Sequence, residues 1–427
     1  MSDKVKYLPE AAIPDGGVPV WRTEDAERWR KAAVPAVFGP VFGAWALVLP
    51  VFVAIVLLGW GDPQVPDRGT SWDGYPAAVL LVGLPLWYRM IPAATVLATP
   101  ALAGYTLFEL AGLPASDGPG RVGSWLVVAL CGAAFTGALL RLRARRAQCA
   151  LALAAAGDGR RELPDELPRR HRRRGLPMIL TGGGLCLAAA ALLWWALARD
   201  LGADPEHPYD ATGQQVLALL LLVPATALLG RGVGARRAAR RLHAGPQPAL
   251  RVGIRGDSLT YSWLYADVRD TSGKPLIAFR DGVENTVRHV RTLLGGSEER
   301  LRTEHHDVNW FCEPFEAVLY GAPFEGAEVV LEYAAYYGNT RITTSVLAVP
   351  LHPRRRHGLN PWRAAGRSAV LKERKERAAH RAKAAESGSG TSGCGTSSSG
   401  CGSSSSCGSS CGSSCGGGCG GGCGGGD

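Results

Sequence analysis

Residues 141–175 read RLRARRAQCALALAAAGDGRRELPDELPRRHRRRG and lie between apolar runs of membrane length on both sides. Up to Arg174 the stretch holds eleven Arg against four acids. Basic residues are strongly retained on the cytoplasmic side of short loops, so this loop sets the in/out sense of every apolar run around it. A polytopic, α-helical membrane domain is the expectation. Charge is as bunched as hydrophobicity: residues 351–385 add eleven Lys/Arg against two acids, so the rest of a chain of net charge +10 is net acidic. The basic balance reflects two cationic patches, and because both adjoin or follow apolar runs, nucleic acid is not an expected partner.

Upstream of the loop, residues 1–36 are polar and carry six Lys/Arg, which places them in the cytoplasm, with Thr23 as the cap of a short helix. Val37 to Gly59 is 23 residues long and nearly uncharged, enough to cross a hydrocarbon core of about 30 Å. Pro76 to Leu110 would make a helix of roughly 50 Å, is interrupted by Pro85, Pro92 and Pro100, and contains Arg89. It reads as a hairpin, 76–88 and 91–111, turning at Arg89. The alternative of one span leaves Arg89 inside the bilayer at a cost of at least about 2.5 kcal/mol. Val122 to Leu140 returns inward.

Downstream, 176–198 exits and 214–230 re-enters, giving about six spans within residues 37–235 and both termini inside. Residues 147–156 (AQCALALAAA) are too short to cross and are expected to lie along the inner surface.

From residue 249 to 350 the pattern changes to short β-type runs such as LRVGIR, EAVLYG, AEVVLEYAAYY and RITTSVLAVP, with turn residues at Gly338 and Asn339. Val283, Val287, Val290 and Leu294 recur at helical spacing. The expectation is a small, mainly antiparallel α+β domain of the cytoplasm with one helix. Residues 351–385 read as a basic helix opened by Asn360 and Pro361, suited to anionic inner-leaflet lipids. From 386 to 427 the chain is a Gly/Ser/Cys-rich low-complexity tail, expected to be disordered.

Four signals bear on chemistry. The tail carries Cys394, Cys401, Cys407, Cys411, Cys415, Cys419 and Cys423, whose thiolates suit a soft metal, Zn or Cu, although three residues separate neighbours late in the run where zinc knuckles have two. Gly256, Asp257, Ser258 and Leu259 resemble the nucleophile block of GDSL-type esterases, and Asp204 to Pro208 (DPEHP) resembles that family's Asp-x-x-His-Pro block. The order is reversed and the expected topology puts the two blocks on opposite sides of the membrane, so Ser and base cannot meet; a Gly-Asp turn between strands is the simpler reading. Glu304, His305, His306, Asp307, Cys312 and Glu313 bear ligand-type atoms, but only His305 and Asp307 would share a strand face. Within the spans Glu109 and Arg89 are the ionisable residues a permease would need, while Gly182, Gly183 and Gly184 suit close helix packing.

Ala/Gly/Arg-rich spans followed by a Gly/Ser/Cys tail resemble uncharacterised integral membrane proteins of high-GC actinobacteria, which implies a bacterial cell membrane. The expected role is non-enzymatic: a scaffold, sensor or interaction protein that presents a β-rich domain and Cys-rich tail at the inner leaflet to a cytoplasmic protein partner. A small-solute or ion permease is the rival expectation.

Overall fold

A computed structural model describes residues 4–60, 70, 72–113, 117–204, 209–257, 261–269, 274–280, 282–305, 307–308, 314–338 and 340–352. The basic helix expected over 351–385 from Pro353 on, the Cys-rich tail, Ser258, His306, Cys312 and Glu313 lie outside these residues.

After a short amphipathic helix, α1 (Thr23–Lys31), come α2 (Pro40–Trp60), α3 (Tyr75–Met90), α4 (Pro92–Gly112), α5 (Gly118–Ala156), the single turn α6 (Arg169–Arg172), α7 (Leu176–Leu201) and α8 (Thr212–Leu242). Among the described residues five helical stretches, Pro40–Gly59, Pro92–Gly112, Gly118–Ala156, Arg169–Leu201 and Thr212–Leu242, are long and apolar enough to cross a membrane. Large apolar side chains such as Phe52, Leu97, Phe108, Leu187 and Trp194 are exposed on these helices, as a lipid-facing surface requires. The sixth helix, α3, has 16 residues and a length of about 24 Å. The stretch 76–110 is thus two helices, parted at Ile91, where the residue before a proline leaves the helical region.

Contacts at the helix ends give the bundle two distinct poles. At one, Trp72 Nε1 donates to Asp200 at 2.7 Å and Thr70 donates to the carbonyl of Tyr209. At the other, Tyr88 donates to the carbonyl of Phe38 at 2.8 Å and Arg141 donates to the carbonyl of Tyr88. The helices therefore run alternately up and down. α7 and α8 pack backbone to backbone through Gly182, which faces the backbone of Ala225 and Leu229, and through Gly175, whose φ of +76° and contact with the Gly232 carbonyl leave no room for a Cβ.

The strands are β1 (Lys4–Val5), β2 (Arg160–Arg161), β3 (Gln247–Asp257), β4 (Tyr261–Tyr265), β5 (Ile277–Phe279), β6 (Thr286–Gly295), β7 (Asp307–Val308), β8 (Phe315–Tyr320), β9 (Glu328–Tyr337) and β10 (Arg341–His352). Six of them, in the order β3–β4–β5–β10–β9–β8 and back to β3, pair antiparallel and close a barrel. Closure depends on β10, which pairs with β9 along one edge and, on its other edge, first with β6 and then with β5. The β9–β10 hairpin turns at Gly338, at φ +57°, as its turn residues suggest. Alternate residues of β8 and β9, Phe315, Ala317, Leu319, Val329, Leu331 and Tyr333, fill the interior core with Leu250, Val252, Phe279, Leu347 and Val349.

Both faces of this sheet are buried. Val318, Tyr320, Val330, Ala334 and Val346 face outward, and the N-terminal segment covers them with Val5, Leu8, Ala12 and Val18. Val5 to Trp29 are therefore packed on or in the barrel body. α1 begins at Thr23 and receives no side-chain cap; its Trp29 joins Trp21 in the interior core and donates from Nε1 to the carbonyl of Pro323 at 2.9 Å.

Three expectations are corrected. Residues 147–156 continue α5 without a break and bury Ala152 and Ala156 in the barrel core, so they do not lie along a membrane surface. The strand β10 runs through Leu351 and His352, beyond the boundary expected at 350. Residues 286–295 are the strand β6, not a helix, and the domain's helix is α9 (Glu298–Glu304). The register on β10 steps from Ser345↔Arg288 to Thr343↔Thr292 and then to Ile342↔Leu294. Extra residues in β6 bulge outward, with His289 at φ +61°, and keep Val290 and Leu294 packed on one face. The bulges account for the spacing of Val290 and Leu294, whereas Val283 lies in the turn before β6 and is exposed.

Because Gly182 sits against backbone and Gly183 meets open space, Gly182→Leu should lower stability by about 1–3 kcal/mol and Gly183→Ala by less than about 0.5 kcal/mol. Thermal unfolding of both variants in one detergent measures the difference.

Candidate functional site at the helix and barrel junction

At 39 residues α5 is about 58 Å long, nearly twice the hydrocarbon thickness, so it passes from the bundle into the barrel body. Where the two meet, Arg141 is 1% exposed. Its Nη2 donates to Glu325 Oε1 at 2.7 Å, its Nη1 donates to the carbonyl of Tyr88 at the end of α3, and Arg145, one turn on, donates to the same Glu325 oxygen at 2.9 Å. Glu325 stands in the turn between β8 and β9. Burial alone would raise its pKa, but the two guanidiniums outweigh it and hold the carboxyl below its ordinary value of 4.5. One carboxylate thereby joins the α3–α4 turn, α5 and the barrel.

A second junction lies beside it. α8 passes into β3 through a short link in which Gln247 Nε2 donates to the carbonyls of Leu242 and Gly245, satisfying the helix end. Leu242 packs on the outer barrel face. The turn before α7 docks on the same face, where Arg174 Nε donates to Glu328 at 2.9 Å. Burial pushes the Glu328 carboxyl above its ordinary value despite this arginine.

Between these elements lies a cleft of about 330 Å³ lined by His171, Arg172, Arg174, Arg236, Ala239, Arg240 and His243. Its walls come from α6 with the turn that follows and from the last turns of α8. His171 is buried, with Nδ1 3.2 Å from His243 Nε2, and its Nε2 has no hydrogen-bond partner. A hydrogen bond at that distance needs one ring as donor and the other as acceptor. A wider surface cleft of about 410 Å³, lined by Gly16, Gly17, Pro19 and Arg161 among others, has fewer charged groups.

The other sequence candidates fall elsewhere. Gly256 and Asp257 pair with Ser262 and Tyr261 as the last residues of β3, so they belong to the strand and not to the turn they were expected to form, and residues 258–260 lie outside the described residues. Asp204, Arg89 and Glu109 are exposed. Glu304 accepts from Arg300 on α9, and His305 ends that helix. Among the described residues no group of three or more His, Cys, Asp or Glu side chains could hold a metal ion, and Cys131, Cys149 and Cys186 are free. The seven tail cysteines, Cys394 to Cys423, are outside the described residues.

Sequence reasoning missed the cleft because its arginines were legible only as orientation signals. His171 and His243 are 72 residues apart, and nothing in either local pattern pairs them. Comparison of the chain with protein-family models, with curated proteins and with solved structures finds no match.

Removing the Glu325 charge leaves Arg141 buried and unpaired, so Glu325→Gln should lower stability by about 3–5 kcal/mol. Because the carboxyl is held below its usual range, its contribution is present above pH 4.5 and disappears as pH falls through and below that value. Acid unfolding curves of wild type and Glu325→Gln in detergent should therefore converge at low pH.

Proposed function

We propose that this is a membrane-anchored scaffold or sensory protein that presents a β-barrel rigidly joined to its helical bundle at the inner face of a bacterial cell membrane. The observation that supports this most is α5, one unbroken helix of 39 residues that forms a bundle wall at one end and buries Ala152 and Ala156 in the barrel core at the other. A tethered domain would need only a linker. A shared helix clamped by Glu325 transmits tilt or rotation of the bundle to the barrel.

In this reading all six bundle helices cross, with α3 as the short member and with both termini on the barrel side. The basic ends of α5 and α8 and the start of α7 mark that side as cytoplasmic. Anionic inner-leaflet lipids are the membrane partner, and a cytoplasmic protein partner takes the barrel. Cys394, Cys401, Cys407, Cys411, Cys415, Cys419 and Cys423 would then follow β10 on the same side, where reducing conditions keep thiolates free for Zn or Cu.

Reporter fusions at Gly118 and Asp204 should read outside the cell and one at Arg161 inside. The reverse pattern would overturn the orientation. In proteoliposomes of purified protein, solute uptake that survives deletion of residues 249–427 and disappears on Glu109→Ala or Arg89→Ala would replace the scaffold by a permease.

A further inference from the structure

The cleft between the α6–α7 turn and the end of α8 brings four arginines from two distant segments onto one space of about 330 Å³. Arg236 and Arg240 are four residues apart on α8, so they project from one helix face, where like charges repel by a few tenths of a kcal/mol. Among the described residues Arg174 alone of the four has a carboxylate partner, Glu328, and that contact occupies its Nε. Arg172, Arg236 and Arg240 make no ion pair there. Arg172 and Arg240 are exposed, so water screens part of the mutual repulsion, and an anion among the four guanidiniums would relieve the rest.

The second observation is His171. The residue is 3% exposed, it lines the cleft, and its Nε2 has no hydrogen-bond partner. Leaving a buried polar nitrogen unsatisfied is costly, and native structures rarely do so without a ligand or water. His243 already faces the opposite nitrogen at 3.2 Å, so Nε2 is the ring's one unsatisfied polar atom; it is itself buried, and a ligand in the cleft meets it once the ring turns toward the arginines.

We infer that this cleft binds a phosphate group, presented either by an anionic lipid headgroup or as a free phosphate anion. Guanidinium forks match phosphate oxygens two by two, and a phosphate can accept from His171 or donate to it when protonated, so either tautomer is served. The volume exceeds that of bare phosphate and admits a small headgroup. α8 has 31 residues and a length of about 46 Å, so its last turns, with Arg236 and Arg240, project past a hydrocarbon core of about 30 Å into the headgroup region. Arg174 ties the cleft to Glu328 on β9, so an anion that draws on Arg174 also acts on the barrel's attachment. The membrane placement proposed above bears only on the source of the phosphate; the anion site itself stands on the cleft.

The test uses the full-length protein in nanodiscs of neutral phosphatidylcholine. Inorganic phosphate is titrated against chloride at matched ionic strength, and separate nanodiscs contain phosphatidic acid at increasing fractions. Thermal unfolding is the readout. At least one of the two phosphate sources should raise Tm saturably. Arg236→Gln with Arg240→Gln should weaken that binding about tenfold or more. Arg143→Gln with Arg146→Gln, exposed on α5, should leave it unchanged. If the glutamine pair unfolds in neutral nanodiscs, Arg236→Lys with Arg240→Lys keeps the charge, loses the fork and should still weaken binding by a smaller factor.

Stabilisation by inorganic phosphate identifies a free anion, and stabilisation by phosphatidic acid alone identifies a headgroup. No stabilisation by either, or an equal loss in the cleft and α5 pairs, overturns the inference. Nanodiscs expose both faces, so a reversed orientation in the reporter fusions would leave this result standing.

Discussion

The contact of Arg141 and Arg145 with the single carboxylate of Glu325 holds the two halves of the described chain in register. Arg141 is nearly inaccessible, and a guanidinium in such a place is tolerable only when its charge and donors are matched. The Tyr88 carbonyl takes one arm and Glu325 the other. Because α3 ends at that carbonyl and the β8–β9 turn supplies the carboxylate, a rotation of α5, a slide of the α3–α4 hairpin or a shift of the barrel would each break the same cluster. The cluster persists although buried because each charge in it meets an opposite charge or a backbone carbonyl.

The barrel depends in turn on being covered from both sides. A closed ring of six strands has no open edge to manage, but its outer surface carries Val318, Val330 and Val346 and needs a lid. The N-terminal segment provides one. Glu316 on β8 accepts from the backbone N–H of Leu8 and from Arg251 at 2.6 Å, so the lid is pinned through a second ion pair. Inside, Trp21 and Trp29 meet edge to face with ring centroids 6.1 Å apart. The segment before the first apolar helix and the helix that leaves the bundle thus meet in the same core.

These contacts place the basic cleft. Gly175 lets the α6–α7 turn approach α8, Gln247 ends α8 before it becomes β3, and Glu328 holds Arg174 against the barrel. Arg172 and Arg174 of the basic loop and Arg236 and Arg240 of α8 meet beside His171 in space.

The amino-acid sequence by itself determined the apolar helices, the break before Pro92 beside Arg89, the existence of most strands and the turn at Gly338, because each depends on interactions within a few residues. Length against bilayer thickness, proline geometry and alternation are local properties. The tertiary structure decided barrel closure, the docking of residues 4–20, the passage of α5 into the core, and the meeting of His171 with His243 across 72 residues. The misread helix at 283–294 marks the border between the two: its spacing is local, but the bulges that bring Val290 and Leu294 to one face of a strand are set by pairing with β10, some fifty residues away. Pairing, closure and charge convergence are decided by which distant surfaces can be buried together, and that energy has no local signature.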